Sequence, residues 1–518
     1  MSATGAVSSR AMWVCGCAGI LLLASVLRLY HLDVPVIWYD EGFSIALSSL
    51  APGQILFHTA RDVHPPLYYL VLHGWMALMG DSVQSVRGLS VATGISIVGL
   101  GMAVAQQVAG RRAALIAGLL LAVLPIAVRY SQEVRMYSLL TLLLLAATLA
   151  LLLWVRQPQR QRYLWVYGLL MLAALYTHYF AIWCVIAHWL YVLWLPASAE
   201  GRLSSHRSWW LTNALVALAF TPWLPALLRQ ITYTKLVDWI PTATLATIPA
   251  SLWQFFTLDN GENLGWPLFV LPLLAMVAVS IVVVDSDARR RKPAALLVSA
   301  SWVPLVLVWL ASFRFPMFVE RYLVFSAVGL AIMLALALDR LGERRRGWAA
   351  VLLVCCVAGQ VPGVARVYSQ KNTLNDAAGW YANRMDAVLG RVNSQWQPGD
   401  VMVVDGLYWY FSVTYYNRTG SEPLLYDNGA KGDSSGTSRT SFGGATLLYP
   451  RADKLYVADP GLLAPGSGRV WWIGGVPDDG KERTLPGHWR KIAEVTEGAT
   501  RAMLFDVTPL AGSRTVPR

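Results

Sequence analysis

Charge is what this chain has least of. Only 14% of its 518 residues are Asp, Glu, Lys or Arg, while 56% are hydrophobic. A soluble domain carries roughly 25% charged residues, so a water-facing globule of this length is excluded. Cysteine is scarce as well. The five thiols, Cys15, Cys17, Cys184, Cys355 and Cys356, all fall inside apolar runs. They offer neither zinc-ligand spacing nor a disulfide framework and read as inert buried thiols. The hydrophilic C-terminal stretch has none, so an oxidising compartment would find nothing there to crosslink. No small-residue cleavage site follows the first apolar run, 11–29, which therefore reads as a first membrane span and not as a removed signal. No internal repeat is evident.

What fills the chain instead is a series of apolar runs, many long enough to cross a hydrocarbon core about 30 Å thick. Spans are expected at 11–29, 88–108, 113–130, 138–155, 163–180, 181–196, 210–228, 266–284, 294–311, 323–338 and 348–364. The connecting segments then alternate in character. One set holds Arg111-Arg112, Arg156/Arg160/Arg162, Arg202/Arg207, Arg289-Arg290-Arg291-Lys292 and Arg340/Arg344/Arg345/Arg346. The other holds DEG, RYSQEVRMYS, THYF, the loop 229–265 and FRFPMFVERY. By the positive-inside rule the basic set faces the cytoplasm, with the N-terminus, and the second set faces outward, with the C-terminal tail. The net charge of +12 thus sets orientation and is no nucleic-acid footprint. Residues 66–80, PLYYLVLHGWMALMG, are apolar but reach only about 22 Å as a helix. Were they to span, every later basic loop would face out, so they are expected to lie along the outer interface. Residues 30–87 then form one external loop with two juxtamembrane helices, near 41–50 and 66–80.

From about Asn372 the composition changes to Gly, Asp, Asn and Ser with short apolar segments. VMVVDG (401–406), KLYVAD (454–459), RVWWIGG (469–475) and RAMLFDV (501–507) read as short strands. Residues 374–393 suit an amphipathic helix, and 427–445 is too Gly/Ser-rich to pack. The expected division is a membrane part, 1–365, and an extracytoplasmic α/β domain, 366–518.

Five polar clusters lie at the outer ends of expected spans. In IWYDEGFSIALSSL (37–50), Asp40 and Glu41 are adjacent at a lipid boundary. Asp40 could be a helix N-cap with Glu41 a first-turn acid, or one carboxylate could be a general base for a hydroxyl. In RDVHPPLYYL (61–70), His64 is a loop residue pinned by Pro65, or an imidazole that binds phosphate or a cation. In RYSQEVRMYSLL (129–140), Arg129, Glu133 and Arg135 anchor helix ends by snorkelling or clamp a phosphate. In YTHYF (176–180), His178 and Tyr179 fit an aromatic belt; in FVERY (318–322), Glu320 and Arg321 could simply pair. His188, mid-span, reads as a packing residue. No polar cluster sits at the midplane, where transporter sites tend to lie on broken helices. The pattern describes a cavity open to the outer leaflet, suited to a substrate with a lipid tail and an anionic phosphate head.

Taken in order, WYDEGFS, DVHPPLYYLVLHGW, YSQEVRMYSLL, LYTHYFA and ERYL resemble the GT-C glycosyltransferases over roughly 11–340. Within that class they are most similar to the bacterial branch related to protein O-mannosyltransferases and lipid A aminoarabinose transferases. The resemblance implies an α-helical polytopic membrane protein with juxtamembrane helices in its first external loop. It also implies a hexosyl or pentosyl transferase in the cytoplasmic membrane. Its donor would be a polyprenyl-phosphate sugar and its acceptor a glycan, lipid or protein. By motif, Asp40 would activate the acceptor hydroxyl, with Glu41 beside it. Arg135, Arg321 and His64 would meet the donor phosphate, and Glu133, Tyr137, His178, Tyr179, Glu320 and Tyr322 would line the cavity. A divalent cation, Mg or Mn, held by Asp40, Glu41 and His64 is an option, since family members differ in metal dependence.

The chemistry suits these residue types. Departure of a phosphate from an anomeric carbon needs positive charge near the leaving oxygen and no general acid. The incoming hydroxyl needs a base, worth about 10²–10⁴ in rate. Two rivals remain: a ligase or polymerase using a diphosphate-linked oligosaccharide, and a non-catalytic carrier of lipid-linked substrates.

Overall fold

The computed structural model describes residues 3–196, 202–232, 239–285, 288–371, 374, 383–426, 442–477 and 484–507. Contacts divide the chain into two compact units, the first made of Met1–Leu32 and His64–Asn375, the second of Asp33–Val63 and Asp376–Arg518. Composition assigns residues 33–63 to the membrane part, whereas their contacts group them with the C-terminal residues.

The first unit is helical. Its helices are α1 (Ala3–Leu29), α4 (Leu67–Met79), α5 (Val83–Ala109), α6 (Arg111–Ala122), α7 (Pro125–Tyr130), α8 (Tyr137–Arg156), α9 (Arg162–Thr177) and α10 (Ala181–Trp194), followed by α11 (Arg207–Phe220), α12 (Leu224–Thr232), α13 (Thr247–Thr257), α14 (Trp266–Val284), α15 (Ala288–Ser312), α16 (Val324–Arg344) and α17 (Arg346–Ser369). Among the described residues, eight helical stretches are long and apolar enough to cross a membrane. Helices also occupy the other three expected spans, but α6, α9 and α10 are short, at 12, 16 and 14 residues. α4, where an interfacial helix is expected, has 13 residues. One helix, α13, lies in the stretch 229–265 that composition marks as a loop.

The run 113–130 is not one helix. Pro125 has no amide hydrogen to donate and holds Leu124 extended, at φ −65° and ψ 110°. The break leaves carbonyls at the end of α6 without helical donors. Arg28, fully buried on α1, supplies them: its guanidinium donates to Leu121 O at 3.2 Å and Ala122 O at 3.0 Å, and its Nε to Ser131 Oγ at 3.2 Å. Gln132 answers from the other side, donating to Arg28 O at 3.0 Å and Tyr30 O at 2.8 Å. This lattice fixes the start of the loop that carries Glu133 and Arg135.

Three of the basic loops meet at one end of this unit. Buried Asp339 accepts from Arg112 Nε at 2.6 Å and lies 3.9 Å from Arg290. Arg290 also pairs with Glu343 at 2.8 Å. Mid-helix His188 has a partner, its Nε2 lying 3.1 Å from Thr148 Oγ1. The cysteines are not uniformly buried: Cys184 is, whereas Cys15 and Cys355 lie on exposed helix faces.

The second unit is an α/β layer. Its sheet runs β3-β2-β1-β4-β6-β5, with β1 (Val401–Val404), β2 (Leu424–Tyr426), β3 (Tyr456–Val457), β4 (Arg469–Gly475), β5 (Arg490–Glu497) and β6 (Thr500–Asp506). The β1–β2, β2–β3 and β1–β4 pairs are parallel, and β6 is antiparallel to both β4 and β5. Val403, Val470, Trp472, Trp489, Met503 and Phe505 form its core. The helix expected at 374–393 is α18, Met385–Gln395, which buries Met385, Val388, Leu389 and Val392 on one face. Residues 375–382, and 427–441 of the expected loop, lie outside the described residues. After β1, Gly406 turns at φ +99°, a conformation that glycine adopts without steric cost. It launches α19, Leu407–Tyr416. The segment Asp33–Val63 adds α2 (Tyr39–Ser48) and α3 (Pro52–Thr59) to this unit.

Candidate active site

In the first unit, four segments far apart in sequence bring their polar residues together. His64 opens the segment before α4. Arg135 and Tyr137 stand where the loop after α7 enters α8. His178 lies in the link beyond the end of α9, and Arg321 and Tyr322 in a 3-10 turn, Glu320–Leu323, ahead of α16. His178 is the hub. Its ring centroid is 5.3 Å from that of His64, 4.8 Å from Tyr322 and 6.4 Å from Tyr137. Tyr137 and Tyr322 are 5.9 Å apart, and Phe180 closes on Tyr322 at 5.0 Å. Burial first, then the nearby charges of His64, Arg135 and Arg321, holds the His178 ring well below the ordinary imidazole range. It therefore stands neutral in electropositive surroundings.

Both arginines of the cluster are buried under aromatic rings. The Arg135 guanidinium carbon is 5.9 Å from the Tyr137 ring centre, and that of Arg321 is 5.1 Å from Trp239 and 5.7 Å from Tyr322. Such faces attract a cation. Arg129 differs, since a 2.5 Å contact with Glu133 pairs two fully buried charges. Of the two arginines in RYSQEVR, Arg129 thus balances the loop's own acid, and the Glu133 main-chain carbonyl accepts from Ser90 Oγ–H at 2.6 Å. Glu133 is a brace for this loop. Tyr179 turns to another neighbourhood, its hydroxyl 2.5 Å from Gln230 Oε1 and 2.9 Å from Trp223 Nε1. Glu320 is half-buried at the start of the 3-10 turn.

The second unit holds the two acids. Asp40 is not the N-cap of α2; that position is Trp38, with no side-chain cap, and both Asp40 and Glu41 lie in the first helical turn. There they face the positive end of the helix dipole. Glu41 is completely buried and Asp40 partly exposed. Among the described residues, no three His, Cys, Asp or Glu side chains are grouped so as to hold a metal ion. Trp239 and Arg28 were not singled out in the sequence. The first sits in a featureless loop, and the second could be read as an ordinary flanking charge at the end of a span.

Comparison with known proteins places this architecture in a class. A family model described as dolichyl-phosphate-mannose-protein mannosyltransferase matches residues 63–225, the stretch that contains His64, Arg135 and His178. No curated protein sequence matches the chain. Among solved structures, apo ArnT from Cupriavidus metallidurans is similar at 14% identity with a TM-score of 0.61, over 98% of this chain and 100% of that one. The same protein bound to undecaprenyl phosphate gives 15% identity and a TM-score of 0.59, over 99% and 100%. An Archaeoglobus fulgidus oligosaccharyltransferase in complex with Zn and sulfate reaches a TM-score of 0.50 at 13% identity, over 89% of this chain and 68% of that one. The chain thus has a GT-C fold, like these structures, and is similar to the mannosyltransferase family model over residues 63–225. It is a multi-pass membrane protein.

Proposed function

We propose that the chain is an inverting glycosyltransferase that moves a sugar from a polyprenyl-phosphate donor to an acceptor hydroxyl at the outer face of the cytoplasmic membrane. The observation that carries this reading is the buried, aromatic-walled cluster of Arg135 and Arg321 about a neutral His178. Two guanidinium groups at the ends of apolar helices match a donor that is greasy along its length and anionic at its head. The resemblance to a structure holding undecaprenyl phosphate supports the same donor chemistry.

In the reaction, the acceptor oxygen attacks the anomeric carbon and the bond from that carbon to the phosphate oxygen breaks. The bonding pair stays on the phosphate, where Arg135 and Arg321 stabilise it, with His64 completing the phosphate contacts. The hydroxyl proton passes to the Asp40 carboxylate, and Glu41 orients that segment. Attack opposite the departing phosphate inverts the anomeric centre. Tyr137 and Tyr322 offer ring faces to the sugar or the first isoprene. Orientation follows the charge of the loops: the Arg112/Arg290/Arg340 end faces the cytoplasm, and the Arg135/Arg321 end faces out.

The test is release of polyprenyl phosphate by the purified protein in vesicles, supplied with polyprenyl-phosphate sugars and with lipid, peptide or polysaccharide acceptors. Asp40→Asn should lower the rate by at least about 100-fold, the usual worth of a general base. Unchanged release by Asp40→Asn removes Asp40 from the mechanism, and absence of release from every donor by the wild type removes the function.

A further inference from the structure

The acid-bearing helix is fastened to the α/β unit by contacts more specific than packing requires. Ile37, three residues ahead of Asp40, has both backbone polar groups engaged by one face of α19. Its N–H donates to Tyr416 Oη at 3.0 Å, and its carbonyl accepts from Ser412 Oγ at 2.5 Å. Ser412 and Tyr416 are four residues apart, so both project from the same side of that helix. One turn further along α2, Gly42 meets the backbone of Phe411: a Cβ there would stand 2.9 Å from the Phe411 carbonyl carbon, oxygen and Cβ. Backbone atoms cannot swing aside as a side chain can, so any residue larger than glycine must drive α2 away from α19. Ring contacts fill the joint, with Tyr39 stacked on Tyr408 at 5.9 Å and Phe43 edge-on to Phe411 at 5.5 Å.

α19 is itself held firmly to the sheet. It springs from β1 at Asp405, whose N–H donates to Ile473 O of β4 at 2.8 Å. Its Tyr410 hydroxyl donates to Pro423 O at 3.0 Å, just ahead of β2. A second tie follows α2, where His58 Nδ1 lies 3.0 Å from Thr446 Oγ1 and Gly443 N–H donates to Arg61 O at 2.8 Å. The path from the six-stranded sheet to Asp40 is therefore continuous: β1, α19, Ile37, first turn of α2.

We infer that the C-terminal α/β unit is the mount that aims the Asp40 carboxylate, and that Gly42, Ser412 and Tyr416 are positioning residues for it. The inference rests on the reading of Asp40 as the base. It assigns the C-terminal residues a part in the chemical step, where an accessory glycan-binding role would place them only in acceptor affinity.

The experiment uses the full-length protein in vesicles and measures kcat, donor KM and the stoichiometry of polyprenyl-phosphate binding. Ser412→Ala, Tyr416→Phe and Gly42→Ala should each lower kcat about tenfold or more, since displacement of a reacting group by about 1 Å can cost 10² in rate. Donor KM should stay within about twofold, and binding stoichiometry should match the wild type. Each should also speed amide exchange at Ile37 to Glu41. A residue that only supports folding would lower binding stoichiometry and rate together. The deciding arm is the double variant Asp40→Asn/Ser412→Ala. If Ser412 acts through Asp40, its loss costs nothing further once the carboxylate is gone. An undiminished kcat in Ser412→Ala and Tyr416→Phe, or a Ser412→Ala effect of equal size in the Asp40→Asn background, overturns the inference. Should Asp40→Asn itself retain full activity, the parent reading fails instead, and the two failures are told apart. If Gly42→Ala does not fold, the two hydroxyl deletions decide alone.

Discussion

The two units handle buried charge in opposite ways. In the helical unit, guanidinium groups from loops nearly two hundred residues apart are gathered around His178 and roofed with tyrosine and tryptophan rings. In the α/β unit, two neighbouring carboxylates ride on one short helix, which a second helix holds by its main chain. Aromatic walls can shift slightly and still accept a cation, because ring faces attract without strict directionality. Main-chain hydrogen bonds and a glycine contact tolerate far less. Under the proposed mechanism the two arrangements would serve two tasks, capture of a large flexible anion and delivery of one proton acceptor along a fixed line.

That comparison is broken most readily from the cationic side. Arg135→Ala combined with Arg321→Ala should lower transfer by about 1,000-fold or more, as each charge-assisted contact contributes roughly 1.5–3 kcal/mol. Single Arg→Lys changes should recover part of the rate, because lysine keeps the charge and loses the planar fork. Transfer rates in vesicles check both. A rate within tenfold of wild type in the double alanine variant would remove the cluster from donor binding. Tyr322→Leu, which takes away the ring beside His178 and Arg321, should raise donor KM by about tenfold, in line with roughly 1–1.5 kcal/mol for an aromatic contact.

The opposite end of the helical unit is the control. Asp339→Asn leaves Arg112 and Arg290 without the carboxylate they share, so the melting temperature should fall while transfer per folded molecule stays the same. Because Arg112 is half exposed, solvent screening keeps the loss below that of a fully buried pair. A thermal melt and an active-site titration separate the two effects.

The smallest effect concerns pH and the α/β unit. Burial first, then the charge of Arg61, lowers the His58 pKa below its ordinary 6.5. The unfolded chain then binds the proton more readily than the folded one. The His58 contribution to stability is whole above about pH 6.5 and is lost as pH falls through the folded value. Between pH 7.5 and 5.5, His58→Gln should therefore lose less melting temperature than the wild type. An equal loss in both would show that His58 does not carry this dependence.

The apolar runs announced nearly all of the helical unit, because a span needs only length and hydrophobicity. Pro125 was a visible signal that 113–130 would break, yet the run was long enough to pass as one span. The break matters, since Arg28 and Gln132 use it to fix the loop of Glu133 and Arg135. In the α/β unit the buried strands β1, β4 and β6 were legible from their apolar stretches. β5 was not: RKIAEVTE mixes charges along an outer strand, as edge strands do. His64, Arg135, His178, Arg321 and Tyr322 could be picked from loops expected to face outward, and the structure brings them near one another. Tyr179 could not be separated from His178 by position alone, because only the end of α9 at Thr177 decides which way each side chain turns. Packing of residues 33–63 with the C-terminal unit was invisible, since it depends on Gly42 meeting Phe411, a contact 369 positions apart in the chain.

The division of labour between the units is tested most directly by equilibrium binding of sugar-free undecaprenyl phosphate to three full-length proteins in nanodiscs. The wild type and Asp40→Asn should bind alike, while Arg135→Ala/Arg321→Ala should bind about 100-fold more weakly or not at all. Binding lost in Asp40→Asn but kept in the double arginine variant would contradict the account.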